Sequence, residues 1–164
     1  FHPATLLLNA ARIESTAGKF EFYLEGISNS VARVLEKVDE ERCNVMKIFG
    51  VEPLTSVNWL KYAYDVTGKN LYEAIHNNSG YQGILAPPSI DNRYITEDVP
   101  MSLVPMSSFG KEFGIQTPVI DSVIHLANVM MGKDYFKDGR TVESLGLKGK
   151  KVEEILKLLE EGDE

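Results

Sequence analysis

The strongest pattern along the chain is a run of apolar positions at helical spacing between residues 31 and 49. Val31, Val34, Leu35, Val38, Val45, Met46 and Phe49 recur near the 3.6-residue period, while Arg33, Glu36, Lys37, Glu40 and Lys47 fill the opposite side. A serine hydroxyl at Ser28 or Ser30 can satisfy orphan backbone N–H groups at the start, and Gly50 tolerates the left-handed backbone of a stop. The predicted helix has about five turns, enough for a central packing element. Shorter helical patterns follow. Residues 57–64 read as a helix, and Asn70-x-x-Glu73 has capping-box spacing that opens a short helix to about His76. Asn77-Asn78-Ser79-Gly80 and Ala86-Pro87-Pro88-Ser89 mark a loop-rich stretch running to about Arg93. A helix is predicted over 101–113, between Pro100 and Gly114, with Pro105 inside its first turns. Thr117-Pro118 opens the next, since proline there forfeits no needed N–H. That helix carries Val119, Ile120, Val123, Ile124, Ala127, Met130 and Met131 on one face and ends at Gly132. Val152, Ile155, Leu156 and Leu159 stripe a last helix, and the tail Glu160-Glu161-Gly162-Asp163-Glu164 is acidic and expected to fray. Period-2 alternation is missing except for a short 20–24 piece. The pattern predicts an all-α fold over residues 1–164 as one folding unit, without internal repeats.

Composition narrows the function classes. A chain of 164 residues, 43% hydrophobic and 25% charged, fits one soluble domain with one core. The net charge of −7 repels phosphate backbones and argues against a nucleic-acid partner. No apolar run approaches the length of a membrane helix, and Leu6-Leu7-Leu8 lacks the basic flank of a signal peptide. The lone Cys43 cannot form an internal disulfide and fits a reducing cytoplasm. The chain opens Phe1-His2-Pro3 without an initiator methionine, as if cut from something longer.

Few side chains carry obvious chemistry. His2 can exchange a proton near neutral pH, and Pro3 places it at the mouth of a helix. On residue type alone a frayed terminal residue is the commoner outcome. Asn9 lies seven residues on and shares the His2 face if the helix is continuous; its amide suits a carboxylate ligand or, more often, a structural contact. Arg12, Glu14 and Glu25 are similarly open. In the segment 91–100, Arg93 offers a planar fork for a carboxylate. Asp98 could orient a histidine, but ahead of Val99-Pro100 it reads first as a helix cap. His76 near a helix end reads as structural, and Asp121 with His125 as a surface i,i+4 pair. No metal-binding motif, Gly-rich dinucleotide loop or nucleophile elbow is present.

These signals stand in a familiar order. His2-Pro3-Ala4-Thr5-Leu6-Leu7-Leu8-Asn9-Ala10, Phe22-Tyr23-Leu24-Glu25-Gly26, Arg93-Tyr94-Ile95-Thr96-Glu97-Asp98-Val99-Pro100, Thr117-Pro118 with Asp121, and Gly139-Arg140-Thr141-Val142-Glu143-Ser144-Leu145-Gly146-Leu147 resemble the helical domain of the octopine/nopaline (opine) dehydrogenase family. The resemblance covers nearly the whole chain. It implies an all-α domain like the C-terminal domain of 6-phosphogluconate-dehydrogenase-like enzymes, following an upstream Rossmann domain that this chain lacks. It also implies an NAD(P)H-dependent enzyme, with NAD or NADP bound mainly by that absent domain. The substrates would be an amino acid and an α-keto acid, joined as an imine and reduced to a secondary amine. His2 would then be the catalytic acid/base, Asp98 the carboxylate fixing its tautomer, Arg93 the holder of a substrate carboxylate and Asn9 a further substrate-binding position. The isolated chain is expected to be inactive. Two alternatives stay open. One is a hydroxy-acid dehydrogenase on the same scaffold, with a lysine in place of His2, although Lys61, Lys69 and Lys111 sit in no motif. The other is a non-catalytic helical module, whose amphipathic helices and acidic surface would also suit a homodimer.

Overall fold

Two short helices, α1 (His2–Leu8) and α2 (Ala10–Thr16), open the chain, separated at Asn9. The computed structural model describes residues 1–161. The remaining helices are α3 (Asn29–Lys47), α4 (Ser56–Tyr64), α5 (Leu71–His76), α6 (Arg93–Thr96), α7 (Val104–Glu112), α8 (Pro118–Met131), α9 (Tyr135–Asp138) and α10 (Val152–Glu161). A 3₁₀ turn (Ser79–Tyr81) and a π-helical turn (Val99–Leu103) interrupt the pattern. The expected 20–24 strand is reduced to one isolated bridge between Glu21 and Leu85. The helical region of the acidic tail extends to Glu161, and the rest of that expectation lies outside the described residues. Among the described residues no helix is long and apolar enough to cross a membrane.

α1 explains the architecture. Pro3, Ala4, Thr5, Leu6 and Leu7 are all buried, so over these positions the helix is covered on every side and runs through the core. It packs against α3, α6 and α8, where Leu35, Ile95, Ile120 and Ile124 are fully covered. The cap residues act locally as their types require. Ser28 accepts the Val31 N–H at 3.3 Å, and Asn70 accepts the Glu73 N–H at 2.9 Å. Gly132 ends α8 at φ +63, a conformation that a side chain would strain.

Three departures from the periodic reading have physical causes. The start of α8 is satisfied from a distance: Glu41, 3% exposed within α3, accepts the Val119 N–H at 3.0 Å and the Ile120 N–H at 2.9 Å. A carboxylate there also meets the positive end of the helix. The helix expected from 101 begins instead as the π turn, and Pro105 falls in the first turn of α7, where its missing N–H is an orphan in any case. The apolar stripes of the later helices are only partly covered, leaving Met130 at 40% and Leu159 at 76% exposure.

The segment after α9 is pinned to the π turn. Arg140 donates its backbone N–H to Pro100 O at 3.0 Å. A Cβ at Gly139 would lie 2.5 Å from Tyr135 O, 2.8 Å from Val104 Cγ1 and 2.9 Å from Pro100 O. Gly139→Ala is therefore expected to cost about 1–3 kcal/mol through overpacking, read by denaturant unfolding. A loss below about 0.5 kcal/mol would show that the contact relaxes. Glu41→Ala leaves two N–H groups at the start of α8 without their acceptor, and an expected loss of about 1–3 kcal/mol checks the distant cap.

Candidate active site

His2 is the first residue of α1, and the buried length of that helix fixes where its ring can point. Its Nδ1 stands 2.8 Å from Asp98 Oδ2, across 96 residues of sequence. With Asp98 ionised, Nδ1 carries the proton and donates it, which leaves Nε2 as the exchangeable nitrogen. Asp98 is free for this contact because the capping reading fails. A cap accepts from the second or third residue of the following turn; here those are Pro100, which has no N–H, and Met101, whose N–H goes to Glu97 O at 3.0 Å. No side-chain capping bond forms at Asp98.

Rings flank the imidazole, whose side chain stays 36% exposed. Tyr94 stacks on it at 4.0 Å and 15°, and Phe22 lies 6.2 Å away. The Tyr23 hydroxyl reaches Nε2 at 3.0 Å. Tyr23 in turn stacks on Tyr81 at 4.1 Å and 12°. Burial pulls the pKa of His2 below its ordinary value; the hydrogen bond to Asp98 opposes that pull, and the positive charges of the Phe1 amino group and, to a lesser degree, Arg93 add to it. Burial, with Tyr94, Tyr81, Tyr64 and Asp98 nearby, pushes the Tyr23 phenol well above the usual tyrosine range. Tyr81 is pushed up to about 12, chiefly by burial.

Arg93 opens α6, five positions before Asp98. Its side chain is 69% exposed, and its Nε lies 3.5 Å from Glu97 Oε2. The long contact and high exposure leave the guanidinium little committed to the fold. Asn9 is placed differently from the expectation, because the break after Leu8 removes the continuous helix that would align it with His2. Its Nδ2 donates to Thr5 O at 2.8 Å and Gly26 O at 2.9 Å, spending both amide hydrogens on backbone. Asn9 thus ties α1 to the turn that carries Tyr23.

That turn is held at several points. Gly26 is required because a Cβ there would lie 2.2 Å from Phe22 O. Arg12 pairs with Glu25 and lies over the Phe20 ring at 4.1 Å. His76 places one ring nitrogen 2.9 Å from Tyr72 O and the other 2.9 Å from Leu24 O, joining α5 to the same turn. Asp121 does not form the expected pair with His125; its Oδ1 accepts the hydroxyls of Ser107 and Thr117 and stands 3.7 Å from Lys111 Nζ.

Sequence reasoning brought His2, Asp98 and Arg93 to notice but assigned no role to Tyr23 or Tyr94. Both lie inside segments already singled out, and an aromatic residue beside a charged motif was the available signal.

The profile of the NAD/NADP octopine/nopaline dehydrogenase alpha-helical domain matches residues 1–131. An opine dehydrogenase of Arthrobacter sp. (strain 1C) is 43% identical over 148 residues, which is 90% of this chain and 41% of that protein. A tauropine dehydrogenase of Arabella iricolor is 30% identical over 128 residues, 71% of this chain and 32% of that protein. A solved octopine dehydrogenase with NADH and L-arginine superposes with a TM-score of 0.74 at 25% identity, covering 94% of this chain and 46% of that one. The chain thus spans less than half the length of these relatives. It belongs to the family of NAD/NADP octopine/nopaline dehydrogenase alpha-helical domains.

Proposed function

We propose that this chain is the substrate-binding and catalytic half of an NAD(P)H-dependent opine-type dehydrogenase, which condenses an amino acid with an α-keto acid and reduces the product. The observation that carries this reading is the His2–Asp98 hydrogen bond of 2.8 Å. It joins an imidazole, the side chain whose ordinary pKa lies nearest neutrality, to a carboxylate that fixes its tautomer and supports its charged form.

The described residues include no strand–glycine-rich turn–helix unit of the kind that cradles a dinucleotide. We therefore assign NAD(P) mainly to a Rossmann domain elsewhere in the protein, where it supplies the hydride. The residues of this chain handle the proton and the carboxylate. Attack of the amine on the ketone gives a carbinolamine, and its hydroxyl leaves as water once it receives a proton. His2, as imidazolium, is the source of that proton through the Nε2 side, and Asp98 stabilises the imidazolium while it exists. Arg93 offers two parallel N–H groups to the keto acid carboxylate and orients the carbonyl. Asn9 serves the frame rather than the substrate, since its amide hydrogens are already taken. The buried free thiol of Cys43 fits a cytoplasmic setting.

Three measurements on the full-length protein test this reading. Oxidation of NAD(P)H by a keto acid should require the amine; oxidation independent of amine would instead point to a hydroxy-acid dehydrogenase. His2→Ala should lower kcat by about 10²–10⁴, the usual worth of acid–base catalysis, and a loss under about threefold would remove His2 from the mechanism. Arg93→Ala should raise the keto acid KM about ten- to a hundredfold with a smaller change in kcat.

The pH dependence follows from the lowered pKa of His2. Condensation needs the imidazolium, so its rate falls as pH rises through that pKa, which lies below the ordinary 6.5. Oxidation of the secondary amine needs the neutral ring, so its rate rises through the same point. Limbs of the same sign in both directions would contradict the assignment of His2.

A further inference from the structure

Both ring nitrogens of His2 are occupied, Nδ1 by Asp98 and Nε2 by the Tyr23 hydroxyl at 3.0 Å. Because Asp98 holds Nδ1, any proton that His2 exchanges with a substrate passes through Nε2. The Tyr23 hydroxyl stands on that path. It does not swing aside cheaply, for the residue is 9% exposed, its ring stacks on Tyr81 and meets Phe22 edge-on at 5.2 Å and 80°. Its backbone carbonyl accepts the Ile27 N–H at 3.1 Å in the turn closed by Gly26. Asn9 binds the same turn to α1, so His2 and Tyr23 belong to one rigid frame.

We propose that Tyr23 is a proton relay between His2 Nε2 and the substrate oxygen. The proposal rests on the opine-type reading above and gives that reaction a third proton-handling residue. In the condensation direction, imidazolium Nε2–H passes its proton to Tyr23 Oη while the Tyr23 O–H proton passes to the departing hydroxyl of the carbinolamine. The C–O bond breaks, water leaves, and the nitrogen lone pair forms the C=N bond. His2 ends neutral, the positive charge rests on the iminium nitrogen, and Tyr23 is again a neutral phenol. The strongly raised pKa of its phenol suits this role, since two protons moving together never require a phenolate. Tyr94 and Phe22 pack beside the path, and the titratable or charged groups around it are Asp98, the Phe1 amino group, Arg93, Tyr94, Tyr81 and Tyr64.

Tyr23→Phe in the full-length protein keeps the ring contacts and removes only the hydroxyl. It should lower kcat about ten- to a hundredfold, with KM for both substrates within about threefold. Because the wild-type step moves two protons together, its kcat should fall with the deuterium content of the solvent along the curve of a two-proton transfer. Tyr23→Phe with kcat within threefold of wild type overturns the relay, as does a wild-type dependence that is linear, the mark of a single proton in transfer. If Tyr23→Phe fails to fold, the wild-type solvent-isotope curve decides alone. The two failures separate: a wild type without amine-dependent NAD(P)H oxidation overturns the reaction and the relay with it, whereas an active wild type indifferent to Tyr23 overturns the relay only.

Discussion

A hydrogen bond of 2.8 Å from His2 Nδ1 to Asp98 Oδ2 joins the start of the first helix to a turn 96 residues later, and the rest of the site is arranged around it. For the bond to persist, two backbone positions have to be fixed independently. α1 is fixed by burial, since five of its seven residues are covered by α3, α6 and α8. The turn bearing Asp98 is fixed by Ile95 and Val99, both fully buried, and by the Arg140 N–H on Pro100 O. Apolar packing, with one backbone hydrogen bond, therefore sets the geometry, and the His2–Asp98 bond uses it.

The electrostatics of His2 follow from the same packing. A ring stacked on Tyr94 beside Phe22 loses hydration, which favours the neutral form, and the Asp98 carboxylate restores part of the stability of the charged form. The proposed acid–base role calls on both forms, and the Asp98 carboxylate opposes the loss of the charged one. The frame around Tyr23 serves the same end by different means. Asn9, Gly26, Arg12 and His76 spend their polar groups or their lack of a side chain on holding one turn in place, so the phenol meets Nε2 without a bond to any other side chain fixing its hydroxyl.

Much of the fold was legible because helix boundaries are set locally. Ser28, Asn70, Thr117-Pro118 and Gly132 each mark a terminus within a residue or two of where it falls. What periodicity missed is long-range. Glu41 looks like an ordinary helix residue until α8, 78 residues on, brings two N–H groups to it. Asp98 resembled a cap because its immediate neighbours suit one, and only the proline at 100 and the Glu97 carbonyl show why no donor is left. The break at Asn9 was hidden by an apolar run that continues through it, and the partner of Asp121 lay on α7 rather than on its own helix. Of the candidate site, His2, Arg93 and Asp98 were singled out through the order of their motifs. Tyr23 was not, because its significance lies in a distance to His2 that no spacing along the chain encodes.

The coupling of His2 to Asp98 is tested most directly by following the His2 ring by NMR through a pH titration of the full-length protein, before and after Asp98→Asn. Burial lowers the His2 pKa and the Asp98 charge raises it, so removing that charge should drop the pKa further. A His2 pKa that stays in place or rises in the variant would contradict the dyad.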